Sequence, residues 1–200
     1  MKVLNLYAGL GGNRKLWTDV QVTAVELMPE VADFYKAHFT DDEVIVTDAH
    51  QYLLNHFKEY DFIWSSRPCP THSRARFWRW GSTKPVYPDM ALYEEILLLK
   101  HYYKGKWVVE NVVPYYQPLI PGKKIGRHLF WSNFSLHGVM ANHLKNFNSL
   151  SDKEIANFIG FDLDRFKYKG KKTAYIRNCV DPLLGKVLLE RARKTKQTFF

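Results

Sequence analysis

Cysteine is scarce in this chain. Only Cys69 and Cys179 occur among 200 residues, so no disulfide framework shapes the fold, and the usage fits a reducing compartment. No apolar run approaches the roughly 18 residues of a membrane helix. The opening MKVLNLYAGLGG is too short in apolar run for a signal peptide and reads as a first strand. A soluble, cytoplasmic protein without a membrane partner is therefore expected. No internal repeat, low-complexity tract or long Pro/Gly/Ser linker divides the sequence, so a single domain over residues 1–200 is expected. The histidines are scattered, with no H-E-x-x-H pair and no C-x-x-C, which argues against a metal. A G-x-S-x-G turn and a Walker lysine pattern are absent too, which argues against a serine hydrolase and a nucleoside triphosphatase.

Acidic residues are also missing where they would matter most. From Arg67 to Lys84 there are five basic residues and no acid, in a chain whose net charge is +9. From Arg165 to Lys196, eleven basic residues stand against Asp181 and Glu190. This second cluster reads equally as a solvated tail or a binding face. The first carries Phe77, Trp78 and Trp80 between its arginines, a mixture suited to phosphates and bases together. A polyanionic partner is implied. The hydrophobic fraction of 46% and aromatic fraction of 16% are those of a folded chain.

Periodicity predicts strands at Val3–Tyr7, Val22–Glu26, Val44–Val46, Asp61–Trp64, Trp107–Glu110 and Leu129–Phe134. It predicts helices at Asn13–Asp19, Pro29–Phe39, Ala49–Phe57, Pro88–Tyr103 and Pro182–Lys194. Ser151 and Glu154 have capping-box spacing, for a helix ending at Gly160. Alternating strands and helices imply an α/β fold with a mainly parallel sheet. Ligands in such folds sit beyond the carboxyl ends of strands. Gly9, Glu26, Asp48, Cys69 and Glu110 all fall there.

Each has a plain and a functional reading. The loop Gly9–Gly12 lets backbone approach a ligand without a Cβ in the way, or is simply a βα turn. Glu26 can accept from ribose hydroxyls and Asp48 from an adenine amino group, or each is a helix cap or solvated residue. Together they favour an adenosine-containing cofactor. Cys69 sits between Pro68 and Pro70 in SSRPCPTHSRAR, residues 65–76. It reads as a nucleophile whose thiolate Arg67, Arg74 and Arg76 would favour, or as a rigid basic turn. Cys179 lacks such a loop and reads as a packed core thiol. Glu110 ends an apolar strand, and burial raises the pKa of such a carboxyl so that it can donate a proton near neutral pH.

The motifs together resemble the DNA (cytosine-5)-methyltransferase family. Asn5-Leu-Tyr-Ala-Gly-Leu-Gly-Gly12 is similar to its D-L-F-A-G-x-G-G motif. Val25-Glu26, Thr47-Asp48, Pro68-Cys69 and Glu110-Asn111-Val112 follow in family order. Then come Gly126-Arg127-His-Leu-Phe, Ser151–Asp162 and Asn178-Cys-Val180. The resemblance implies a Rossmann-like S-adenosylmethionine-dependent methyltransferase fold with helices on both faces. The cofactor would lie against Tyr7, Gly9, Leu10, Gly11, Glu26, Leu27, Asp48, Ala49 and Pro68, with Asn178 bracing that loop. Cys69 would add to carbon 6 of cytosine in DNA, Glu110 would protonate or hydrogen-bond ring nitrogen 3, and Arg127 would contact the base carbonyl. One branch of the family methylates transfer RNA, which leaves an RNA substrate as the alternative; a DNA-binding protein without catalysis is a further one.

Asn5, Tyr7, Arg67, Ile125 and Arg177 depart from the family pattern without removing a core catalytic group. The larger departure is a missing recognition domain, since only about Ser135–Leu150 is available for it. Base recognition then falls to Arg74, Arg76, Trp78, Arg79 and Trp80 beside Cys69, or to a partner chain. The alternative for the tryptophans is packing in a hairpin or lid. Specificity is expected to be short or relaxed. Small size fits a restriction–modification or phage-borne enzyme in a bacterial or phage-infected cell.

Overall fold

Alternate residues of the central strands are buried on opposite sides of one sheet. The computed structural model describes residues 1–74, 86–141, 149–166 and 172–194. Strands β1 (Lys2–Leu6), β2 (Gln21–Glu26), β3 (Glu43–Val46), β4 (Phe62–Ser66) and β5 (Lys106–Val112) are parallel. β6 (Lys123–Ile125) and β7 (His128–Ser132) form an antiparallel hairpin that pairs with β5 through β7. The order β3-β2-β1-β4-β5-β7-β6 puts the switch point between β1 and β4. The loops leaving those two strands, one glycine-rich and one carrying Cys69, are therefore neighbours at the sheet's carboxyl edge.

The helices cover both faces. Val3, Val22, Phe62, Trp64, Val108 and Phe130 pack with Leu184, Leu188, Leu189 and Ala192 of α6 (Pro182–Lys194). Their chain neighbours Leu4, Ile63, Val109 and Leu129, and Val25 further along β2, point the other way. They meet Ala49 and Leu53 of α2 (Ala49–His56) and Leu92, Ile96 and Leu99 of α3 (Ala91–Tyr102). Each such leucine contributes about 1.5–3 kcal/mol when removed from water. Helix α1 (Pro29–His38) begins with a proline at its first turn, where the missing N–H is harmless. It buries Val31, Phe34 and Tyr35 at helical spacing. Val31 and Phe34 meet Ile155, Ala156 and Ile159 of α4 (Asp152–Ile159). The capping box of α4 forms as its sequence predicts, with Ser151 and Glu154 exchanging hydrogen bonds and Gly160 left-handed at its end.

The structure departs from the expected elements at three places, one expected helix that is absent and two elements with no expectation. Asn13–Asp19 is a run of turns, not a helix: Arg14, Lys15 and Trp17 donate backbone bonds three residues back, and Asp19 has φ +55°. Side-chain anchors fix that segment instead, with Asn13 Nδ2 on Asn5 Oδ1 at 2.8 Å, Arg14 forked on Asp42, and Trp17 in the core. The third strand of the antiparallel edge, β6, and the helix α5 (Lys172–Asn178) had no periodic signal in the sequence. At three and seven residues they are too short to show a period.

Candidate active site

The Cys69 loop is held from three directions. Asn111 Nδ2, buried in β5, donates to the Arg67 carbonyl at 3.1 Å. The Cys69 carbonyl accepts from the His72 and Ser73 amides at 2.9 and 3.0 Å, closing a tight turn. His72, itself buried, has Nδ1 2.7 Å from the Tyr116 hydroxyl. The Asp89 amide donates to Thr71 Oγ1 at 3.1 Å. The asparagine of Glu110-Asn111-Val112 thus acts as a strut beneath the residues before Cys69.

Cys69 itself is half-buried, and its thiol is pushed up to about 11. Burial is the main cause and the Glu110 carboxylate the next; Arg127 acts in the opposite sense. This corrects the expectation that Arg67 and Arg74 favour its thiolate. Arg67 turns away, donating to Asp89 Oδ2 through Nε at 2.9 Å and to Glu95 Oε1 through Nη1 at 2.7 Å. Arg74 is exposed and donates to the Pro114 carbonyl at 3.3 Å. Arg76, Trp78, Arg79 and Trp80 lie outside the described residues.

Glu110 is 6% exposed and lies in β5, opposite Ser66 of β4 and Phe130 of β7. It is inside the strand, not at its end, yet level with the last residue of β4. Its charge is felt by Cys69, Arg127 and His128, so these four side chains form one electrostatic group. Arg127 Nη2 donates to the Arg177 carbonyl at 2.7 Å, which anchors the guanidinium to the end of α5. His128 is the residue that sequence reasoning missed. Its Nδ1 stands 3.6 Å from Glu110 Oε1, and burial holds its pKa below the usual imidazole value. The ring is therefore neutral near pH 7, and the contact is not an ion pair there. Only the antiparallel register, Val112 opposite His128, brings that ring diagonally beside Glu110.

On the other side of the switch point, Glu26 shapes the glycine loop. Its Oε2 accepts from the Gly9 amide at 2.9 Å and its Oε1 from the Met28 amide at 3.0 Å. Gly9 has φ +54°, and a Cβ there would meet only the Tyr7 carbonyl oxygen, at 3.9 Å. Leu27 beside it is 60% exposed. Asp48 is exposed and caps α2 through Oδ1 on the Gln51 amide at 2.8 Å, while Oδ2 takes no part in the cap. An open glycine, an exposed leucine and two carboxylates at neighbouring strand ends fit a nucleoside cofactor.

Not every expected residue presents its side chain there. Leu10 is 1% exposed and packs with Val31, Phe34 and Ile155; Ala49 is 2% exposed and packs with Leu53. Only their backbones remain for a ligand. Asn178 is exposed at the end of α5, and the bracing contact comes from the next two residues. A Cβ on Gly12 would stand 2.6 Å from the Val180 carbonyl and 3.0 Å from Cys179 Cβ. Burial pushes the Cys179 thiol up to about 12, as for a packed, unreactive sulfur.

Gly11 gives a direct test of the loop. Its φ is +83°, and a Cβ would stand 2.3 Å from the Phe39 ring and 2.9 Å from that of Tyr35. Gly11→Ala is expected to lower unfolding free energy by at least about 2 kcal/mol. Chemical denaturation measures this; an unchanged midpoint would contradict the packing described.

A mainly parallel sheet of this order, with a glycine loop after β1, an acid ending β2 and an acid after β3, fits the S-adenosylmethionine-dependent methyltransferase class. The Pro68-Cys69 loop after β4 narrows it. The pattern of the C-5 cytosine-specific DNA methylases matches residues 1–112, and the chain belongs to that family. No curated protein sequence matches. Among solved structures, a hypothetical protein of Thermus thermophilus, TTHA0928, is similar at 17% identity and a TM-score of 0.46, over 66% of this chain and 73% of that one. A SAM-dependent methyltransferase from Agrobacterium tumefaciens is similar at 16% identity and 0.43, over 58% and 40%. A DNMT2 variant of Spodoptera frugiperda is similar at 22% identity and 0.40, over 56% of this chain and 35% of its own.

Proposed function

We propose that the protein transfers a methyl group to carbon 5 of cytosine in DNA through a covalent Cys69 adduct, on a base that is flipped out or unpaired. The observation that carries this reading is the grouping of Cys69, Glu110 and Arg127 beside the glycine loop, with each charge acting on the others. Glu26, Asp48, Leu27 and the loop backbone at Gly9 would hold S-adenosylmethionine. When bound, that cofactor supplies an electrophilic methyl group at the carboxyl edge of the sheet.

The chain's own residues account for the remaining steps. At neutral pH Cys69 is mostly thiol, because burial and Glu110 both oppose its ionisation. Glu110, a carboxylate while Cys69 is a thiol, takes up a proton and passes it to ring nitrogen 3, or shares it there in a hydrogen bond. Loss of the thiol proton to solvent gives the thiolate, which Arg127 favours. Its sulfur bonds carbon 6, and the former double-bond pair makes carbon 5 nucleophilic. Carbon 5 takes the methyl group and then releases its proton to solvent. The electron pair re-forms the ring double bond, the carbon–sulfur bond breaks, and nitrogen 3 returns its proton to Glu110. Cysteine must approach from above the base plane while Glu110 reaches its edge. Neither is accessible in a stacked pair, hence the flipped or unpaired base.

The net charge of +9 supports a nucleic-acid substrate. Only residues 133–151 lie between β7 and α4, too few for a folding domain of their own. Recognition is thus assigned to the surroundings of Cys69, Arg74 among them, or to a partner chain. Among the described residues no helix is long and apolar enough to cross a membrane, and no group of three His, Cys, Asp or Glu is arranged to hold a metal.

Transfer of a labelled methyl group from S-adenosylmethionine to DNA and to transfer RNA, measured in parallel, tests the reading. The expected result is labelled 5-methylcytosine in DNA from the chain alone. Label only in transfer RNA would overturn the choice of substrate, and DNA label only with an added protein would move recognition to a partner. Bisulfite mapping of methylated DNA is expected to give a short or relaxed sequence preference; a strict six-base-pair site would contradict it.

A further inference from the structure

Two departures from the family motifs, Tyr7 and Arg67, meet at one buried carboxylate. Glu95 on α3 is fully buried. Its Oε1 accepts from Tyr7 Oη at 2.6 Å and Arg67 Nη1 at 2.7 Å, with His50 Nδ1 at 3.0 Å. Its Oε2 accepts from Ser65 Oγ at 2.7 Å. Arg67 also donates to the Tyr7 hydroxyl, which joins the two directly. One side chain therefore ties together the loop after β1, the start of α2 beside Asp48, the end of β4 and the residue two before Cys69.

Stability alone is a poor reason for such a cluster. A buried ion pair loses much of its attraction to desolvation, and apolar groups of similar volume often do as well. Its distinguishing property is geometry. Tyr7 is a non-glycine residue held at φ +54°, a conformation that persists only where the surroundings enforce it. The hydroxyl contacts to Glu95 and Arg67 provide that enforcement. Burial, and then Glu95, raises the Tyr7 pKa, so the phenol stays a neutral donor. On the other arm, Arg67 is followed by Pro68, whose ring removes a soft torsion before Cys69. A shift of the Arg67 backbone has few ways to be absorbed before it reaches the nucleophile.

We propose that Glu95 is a positioning residue that couples the cofactor loop to the nucleophile loop through Tyr7 and Arg67, so that filling the cofactor cleft orders the loop carrying Cys69. The proposal rests on the cofactor reading given above. Glu95→Gln and Tyr7→Phe are suitable variants. In the first, Arg67 keeps its fork on Asp89, so no guanidinium is left unpaired. The second removes only the hydroxyl that faces Glu95 and Arg67, and keeps the ring and backbone of the cofactor loop.

The test is amide hydrogen exchange across residues 69–74 in the full chain, with and without saturating S-adenosylhomocysteine, whose binding is followed by calorimetry. The His72 and Ser73 amides, bonded to the Cys69 carbonyl, report the turn itself. In wild type the ligand is expected to slow their exchange about five-fold or more. In both variants the effect is expected to fall below about two-fold while the ligand remains bound and the amides of residues 9–12 remain protected. Slowing that survives in both variants, or that is absent from a wild type that binds the ligand, overturns the coupling. Loss of ligand binding in both variants makes these residues part of the binding site and overturns it as well. A wild type that binds no S-adenosylhomocysteine overturns the cofactor reading and, with it, this proposal.

Discussion

Cys69→Ser is expected to lower methyl transfer to cytosine by about 10³-fold or more. Serine keeps the shape of the turn, because the bonds that close it involve the backbone carbonyl and amides, not the sulfur. What disappears is a group able to ionise and attack carbon 6. Cofactor affinity and unfolding free energy are expected to change little, within about 1 kcal/mol, since Glu26, Leu27 and Asp48 lie at other strand ends. Steady-state transfer with saturating DNA, alongside calorimetry for S-adenosylhomocysteine, separates the chemical loss from any loss of binding. Transfer within ten-fold of wild type would remove Cys69 from the mechanism.

Glu110→Gln is expected to move two rates in opposite directions. Methyl transfer should fall about 10²–10⁴-fold, because glutamine cannot take up a proton and pass it to ring nitrogen 3. Reaction of Cys69 with iodoacetamide should instead become faster at fixed pH. The sign follows from the electrostatics. Glu110 is, after burial, the largest influence holding the thiol near 11, and removing its charge lowers that value. Below the thiol's pKa, the thiolate fraction rises about ten-fold for each unit by which the pKa drops. Arg127→Met should act in reverse and slow the alkylation, as its charge favours the thiolate. A peptide map distinguishes Cys69 from Cys179. A merely misfolded Glu110→Gln chain would expose both sulfurs, whereas the expected gain is confined to Cys69.

Much of the site is legible in the sequence because it sits where strands end. Glu26, Asp48 and Cys69 follow apolar runs that can only be strands, and a parallel sheet gathers such positions along one edge. Helices α1, α4 and α6 are legible for local reasons: a proline start, a capping box and a basic last turn. What the sequence hides is direction. Arg67 stands in a basic run and reads as support for the nucleophile, but its partner Glu95 is 28 positions away and fully buried. His128 gains its place beside Glu110 only from the antiparallel register of β5 and β7, which no spacing along the chain reveals. Asn13–Asp19 has residues that tolerate a helix, yet tertiary anchors at Asn5 and Asp42 hold it as turns. The Cys69 thiol is displaced upward for the same reason. Counting nearby arginines gives one sign, and burial beside a carboxylate gives the other.

The central claim is a covalent bond between Cys69 and cytosine, and DNA containing 5-fluorocytosine tests it most directly. Fluorine at carbon 5 cannot leave as the proton does, so elimination fails and the enzyme stays bonded to the base. Incubation with S-adenosylmethionine is expected to give a denaturation-resistant protein–DNA adduct, with the DNA on the peptide that carries Cys69 and none on Cys69→Ser. No adduct from the wild type, or an equal adduct from Cys69→Ser, would contradict the account.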